Sequence, residues 1–119
     1  MHELGIMTGV VNSVTQAATD AGANKVLTVT LSVGVMTEAL EDALFFAFDV
    51  LKEGTILADA ALEVNMVQPR SVCNDCGTEF DHDRFCVLCP LCEGPNTTLI
   101  AGKELQIDSI EVDIPDEAD

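Results

Sequence analysis

The sequence predicts an α+β fold: a small sheet packed on two helices, with an inserted four-cysteine module of the zinc-ribbon kind. Three observations lead there. Two stretches carry apolar residues at helical spacing, three others alternate with a two-residue period, and all five cysteines of the 119-residue chain fall between Cys73 and Cys92.

The first helix is expected from about Glu3 to Ala21. Leu4, Met7, Val11, Val14, Ala18 and Ala21 then share one face, and Gly22 stands where a helix commonly stops. Val26–Val33 alternates branched and hydroxylic residues and reads as a strand ended by Gly34. A second helix, roughly Glu38 to Glu53, follows a cap at Thr37 or a neighbour. Leu40, Ala43, Leu44, Ala47, Phe48 and Leu51 form its core stripe, with Glu38, Glu41 and Asp42 in the first turns, where the helix dipole favours acids. Gly54 ends it. Ala61–Val67 alternates again up to Pro69, and Glu104–Ile114 alternates polar and apolar residues most cleanly of all. That last strand needs a sheet to join. The expected organisation is therefore a discontinuous α/β domain of residues 1–69 plus 103–119, interrupted by a metal domain at 70–102.

Composition narrows the function. Twenty-one acidic side chains against five basic ones leave a formal charge of −16, with no Trp or Tyr. Nucleic-acid binders need a positive groove and aromatic platforms, so no nucleic-acid role is expected, and an anionic membrane surface would repel the chain. No stretch reaches the roughly 20 apolar residues that span a bilayer. Met1-His2-Glu3 lacks the basic and apolar regions of a secretory signal, so a cytoplasmic protein is expected. In that setting clustered cysteines argue for metal before disulfides.

Cys73-Asn-Asp-Cys76 and Cys89-Pro-Leu-Cys92 are two Cys-x-x-Cys pairs twelve residues apart. Each pair can place two sulfurs on one ion, and together they complete a tetrahedral thiolate shell for Zn(II). Gly77 and Gly94 follow the pairs and offer the backbone freedom that metal knuckles use. Cys86 also stands three residues before Cys89. The Cys-Pro-x-Cys form favours Cys89 and Cys92 as ligands and leaves Cys86 as a spare thiol. His82 reads as a solvated loop histidine beside a shell already closed by four sulfurs. Neither pair sits at the strand-to-helix turn of a thioredoxin-like site, and a closed shell offers no position for zinc catalysis.

The other candidate site is the N-terminus. The Met1 amine, the His2 amide nitrogen and the His2 imidazole can close fused chelate rings on one ion, with Glu3 as a further donor by amide or carboxylate. Planar, nitrogen-rich sets suit Ni(II) or Cu(II) better than zinc. An early histidine is more often simply solvated, so the pattern alone leaves both readings open.

Met1-His2-Glu3-Leu4, the strand to Gly34, Ala47-Phe48, Glu53-Gly54-Thr55, the two cysteine pairs and Gly102–Glu111 together resemble the HypA family, in order and in separation along nearly the whole chain. These are hydrogenase maturation factors that deliver nickel. The resemblance implies a nickel metallochaperone rather than an enzyme. It places nickel on Met1, His2 and Glu3 and structural zinc on Cys73, Cys76, Cys89 and Cys92. Its implied partners are the nickel-handling GTPase HypB, the large subunit of [NiFe] hydrogenase and, as some members feed urease, urease maturation factors. Many members carry an acid directly after the glycine closing the first strand, where this chain has Val35; Glu41 and Asp42 are then the acids available to the nickel site. A zinc-ribbon interaction adaptor that moves no nickel is the alternative reading, differing only at Met1–Glu3. A thiol oxidoreductase built on Cys86 is weaker. A hydrolase is weakest, with two histidines in the chain and no nucleophile motif.

Overall fold

The computed structural model describes residues 2–83 and 88–115. Helix α1 spans Glu3–Asp20 and buries Met7, Val10, Val11, Val14 and Ala18. Its end follows from Gly22, which at φ 77° donates to the Thr19 carbonyl while the Ala23 amide reaches back to Ala18. This pairing of bonds closes a helix on a left-handed residue, which glycine adopts without a Cβ penalty. One expected core residue is displaced. Leu4 is largely exposed and Glu3 is buried in its place, because the Glu3 carboxylate accepts a hydrogen bond from the Leu40 amide at 2.9 Å.

Strand β1, Lys25–Gly34, buries Val26, Val29, Leu31 and Val33. A short 3-10 turn at Val35–Thr37 follows, in which the Thr37 hydroxyl donates to the Gly34 carbonyl at 2.8 Å. Thr37 is thus spent on the turn and does not cap a helix. Glu38 then takes a left-handed φ of 63°, so helix α2 starts only at Glu41 and runs to Leu51. Leu40 occupies the N-cap position without a side-chain cap of its own and is exposed; the core face of α2 is Leu44, Ala47 and Phe48. Helix α1 packs along α2. After Gly54, at φ 75°, a run of turns buries Leu57 and leads into β2, Ala61–Val67.

Three short strands follow that the sequence reading did not distinguish from turns: β3 (Arg70–Cys73), β4 (Glu79–Asp81) and β5 (Thr97–Ala101). The last strand, β6, is Leu105–Asp113. The strands form two three-stranded sheets, ordered β2-β1-β6 and β4-β3-β5. Asn24 donates to Asp113 and Gly34 to Glu104, so β6 runs antiparallel to β1. As an edge strand, β6 leaves Leu105 and Ile107 exposed, and its apolar alternation changes phase at Ser109, before Ile110 and Val112.

By packing, the chain divides into two units. The first comprises Met1–Leu31, Ala39–Asn65 and Gln106–Asp119, and the second comprises Ser32–Glu38 and Met66–Leu105. Among the described residues no helix is long and apolar enough to cross a membrane.

Within the second unit the backbone at Gly34 passes against that at Gly102. A Cβ on Gly34 would fall 2.0 Å from the Gly102 carbonyl oxygen, and one on Gly102, at φ 113°, would fall 2.8 Å from the Pro69 Cα. The Gly34 and Met36 amides use this proximity to bond the Glu104 and Gly102 carbonyls. Gly34→Ala should therefore destabilise the protein by about 1–3 kcal/mol, as overpacking against rigid backbone does, read as a lower midpoint in urea unfolding.

Candidate metal centre

The second unit is built around sulfur. β3 pairs antiparallel with β4, Arg70 opposite Asp81 and Val72 opposite Glu79, and with β5, Val72 opposite Thr98 and Cys73 opposite Thr97. Arg70 lies between two acids of β4, donating to Asp81 at 2.8 Å and approaching Glu79 at 3.5 Å; Asp81 first and Glu79 after it raise its pKa. Such exposed pairs contribute little to stability, because water and salt screen them and two long side chains must be held in one geometry. The buried hydrophobic cluster of this unit is Cys73, Phe80 and Cys89, two of its three members being cysteines. So small a cluster cannot hold β3, β4 and β5 and their connections without a further bond.

Both Cys-x-x-Cys segments fold into the same knuckle. The Cys73 amide donates to Thr78 O and its carbonyl accepts from Gly77; the Cys89 amide donates to Gly94 O and its carbonyl accepts from Glu93. The fifth position of each knuckle is left-handed, Gly77 at φ 78° and Glu93 at φ 60°. The expectation that Gly94 supplies this freedom is thus displaced by one residue. At Gly94 itself a Cβ would make only ordinary contact, 3.4 Å from Cys92 Sγ. The amides of Leu91 and Cys92 both donate to Cys89 Sγ at 3.4 Å. Side chains missed by the sequence reading fasten the first knuckle to β5. The Asn74 amide donates to Asn96 and Thr98, and Asn96 donates to Asp75. Their signal was faint, since isolated polar residues in a turn-rich stretch have no period to betray them.

The four ligand atoms of Cys73, Cys76, Cys89 and Cys92 lie within 4.8 Å of one another, with Cys73–Cys92 at 3.5 Å and Cys76–Cys89 at 3.6 Å. A tetrahedron with Zn–S bonds of about 2.3 Å has edges of about 3.8 Å. The spacing and the all-thiolate donor set therefore fit zinc. Thr78, through its hydroxyl and then its amide, brings Cys76 down to about 6. The Gly94 amide pulls Cys92 down, but crowding against Cys73 and Cys89, with burial, outweighs it and pushes Cys92 up to about 12. Four sulfurs this close cannot all ionise unaided, and a dication removes that conflict.

His82 is not a loop histidine in free solvent. Its Nε2 lies 2.7 Å from the hydroxyl of buried Ser71, and its ring tilts against Phe80. It does not join the sulfurs, which are the one metal-capable His, Cys, Asp or Glu cluster among the described residues. Met1 and Cys86 lie outside the described residues.

At the other candidate site, His2 is exposed and forms the N-cap of α1, its carbonyl accepting from the Ile6 amide. Glu3 is only 5% exposed, and its carboxyl is held down at about 2 by the N-terminal ammonium and then the Leu40 amide. Glu41 and Asp42 are exposed in the first turn of α2 and do not assemble with His2 into a metal-binding cluster.

The sequence pattern of the family described as "Hydrogenase/urease nickel incorporation, metallochaperone, hypA" matches residues 1–112. The chain is 34% identical over 113 residues to a hydrogenase maturation factor HypA of Dehalococcoides mccartyi, covering 95% of each. It is 36% identical over 125 residues to that of Methanococcus maripaludis, covering 98% of this chain and 99% of that one. In fold it is similar to the solution structure of the Ni metallochaperone HypA from Helicobacter pylori, with a TM-score of 0.69 at 21% identity over 97% of this chain and all of that one.

Two outcomes follow from the sulfur geometry. Stripping the metal with a strong chelator should remove amide protection from β3, β4 and β5 while α1 and α2 keep theirs, read residue by residue by hydrogen exchange; structural zinc is worth about 10–16 kcal/mol in small modules. Glu93→Gly should stabilise the zinc-loaded protein by about 1 kcal/mol, the usual penalty for a side chain in the left-handed region, seen as a higher melting temperature.

Proposed function

The chain belongs to the HypA family of nickel metallochaperones that serve hydrogenase maturation, and from that premise we propose that it takes up Ni(II) at its first three residues. The observation that carries this reading is the state of the two neighbours: His2 is exposed at the start of α1, while the Glu3 carboxylate is already engaged with the Leu40 amide. Nickel is then received by the Met1 amine, the His2 amide nitrogen and the His2 imidazole. Glu3 contributes through its backbone, and its side chain holds the start of α1 against the start of α2.

The nickel is cargo. An exposed helix terminus suits loading and release, because few packed contacts break when ligands exchange. The site belongs to the first unit and the zinc shell, on Cys73, Cys76, Cys89 and Cys92, to the second. The chain catalyses no turnover of its own. It works in the cytoplasm, receives or exchanges nickel with the GTPase HypB, and passes it to the large subunit of [NiFe] hydrogenase; the family description extends the same role to urease. The zinc-ribbon adaptor is not favoured, since membership of a nickel-incorporation family accounts for the chain along nearly its whole length.

Calorimetric titration of untagged, zinc-loaded protein should find about one nickel per chain at micromolar affinity or tighter, a free energy of about −8 kcal/mol or more. His2→Ala, or a short tag ahead of Met1, should abolish binding without loss of zinc. Unchanged nickel affinity in both would defeat the assignment. Glu3→Ala should lower the midpoint of urea unfolding, because the Leu40 amide at the start of α2 loses the carboxylate that accepts from it.

A further inference from the structure

Beside the N-terminus the first unit carries an apolar groove of about 310 Å³, lined by Glu3, Leu4, Ala43, Phe46, Ala47 and Val50. Three of these are large apolar side chains left in solvent: Leu4 is 55% exposed, Phe46 71% and Val50 52%. Grouped exposure of this kind marks a surface that another molecule covers. Asp42 and Asp49, seven residues apart on α2, lie on the side of Phe46 away from Ala43, and Glu53 follows just past the helix end; all three acids are exposed. Among the described residues the cation paired on this face is Lys52, 3.4 Å from Asp49.

We infer that this face of α1 and α2 docks a basic amphipathic helix of a partner protein. Its apolar side would cover Phe46, Val50 and Leu4, and its lysines or arginines would lie along Asp42, Asp49 and Glu53. Charge selects the partner: a row of carboxylates beside an apolar floor rejects an acidic or purely apolar segment and draws a cationic one. The walls select its conformation. Both are helices whose backbone groups bond internally, so the occupant must satisfy its own backbone, as a helix does and an extended strand does not. Because Glu3 lines the groove and directly follows His2, the occupant lies beside the loading end; that it gives or takes nickel rests on the function proposed above.

The test is fluorescence anisotropy of a labelled synthetic Lys/Leu amphipathic helix, titrated with full-length, zinc-loaded protein. A Glu/Leu helix of the same pattern is the control. Nickel affinity and sedimentation are measured on each protein. The Lys/Leu helix should bind and the Glu/Leu helix should not. F46Q/V50Q should weaken capture about tenfold or more, D42N/E53Q severalfold, and the charge-matched D59N/E63Q hardly at all, with nickel binding unaltered in F46Q/V50Q and D59N/E63Q. Equal capture by F46Q/V50Q, or equal losses in D42N/E53Q and D59N/E63Q, would overturn the inference in favour of diffuse charge attraction. A wild-type dimer that F46Q/V50Q dissociates would overturn it too, making a second copy the occupant. Peptide capture as expected with no nickel bound by the wild type would support the docking face and refute the nickel site, so the two readings fail separately.

Discussion

The convergence of four sulfurs is the constraint on which the second unit depends. Twelve residues separate Cys76 from Cys89, yet the sulfurs of the two knuckles close to 3.5 and 3.6 Å. Apart from Phe80, the cluster of buried residues that could hold β3, β4 and β5 together consists of ligands themselves. Metal binding and folding are therefore one event there. The amides at Cys89 Sγ and the Asn74–Asn96–Thr98 bonds add direction to a shell whose energy comes from the ion.

The first unit depends on more conventional burial, with Met7, Val14, Val29, Leu44 and Phe48 fully enclosed. Among its described residues the buried charged anchor is Glu3. A helix normally satisfies the amide at its own start with a side chain from its own first turn. Here α2 lacks such a cap and a carboxylate from α1 serves instead. Helix entry, inter-helix geometry and the position of the first residues are thereby joined in a single contact.

Much of this was legible in the sequence. Gly22 ends α1 as expected, β2 spans the residues assigned to it, and the four cysteines come together as their spacing required. The failures have physical reasons. Leu4 and Leu40 were assigned to core stripes from periodicity alone, whereas a charged side chain satisfied across 37 residues takes the inward position at α1 and the backbone reverses at Glu38 before α2. β3, β4 and β5 have three to five residues each, too few for a two-residue period to stand out from neighbouring turns. The left-handed Glu93 was hidden because a glycine, the residue that normally announces that conformation, stands next to it. The proposed nickel residues carry no pattern of their own, and only family membership gives them meaning.

Each knuckle presents its sulfurs unequally: Cys73 and Cys89 are buried, Cys76 and Cys92 exposed. The shell therefore has an inner and an outer edge. Thiol-directed oxidants and alkylating reagents, which require access to the sulfur, meet it at Cys76 and Cys92 first. Stepwise damage would leave the ion held by one inner sulfur from each knuckle, so that the two halves of the module stay bridged until the second pair of ligands fails.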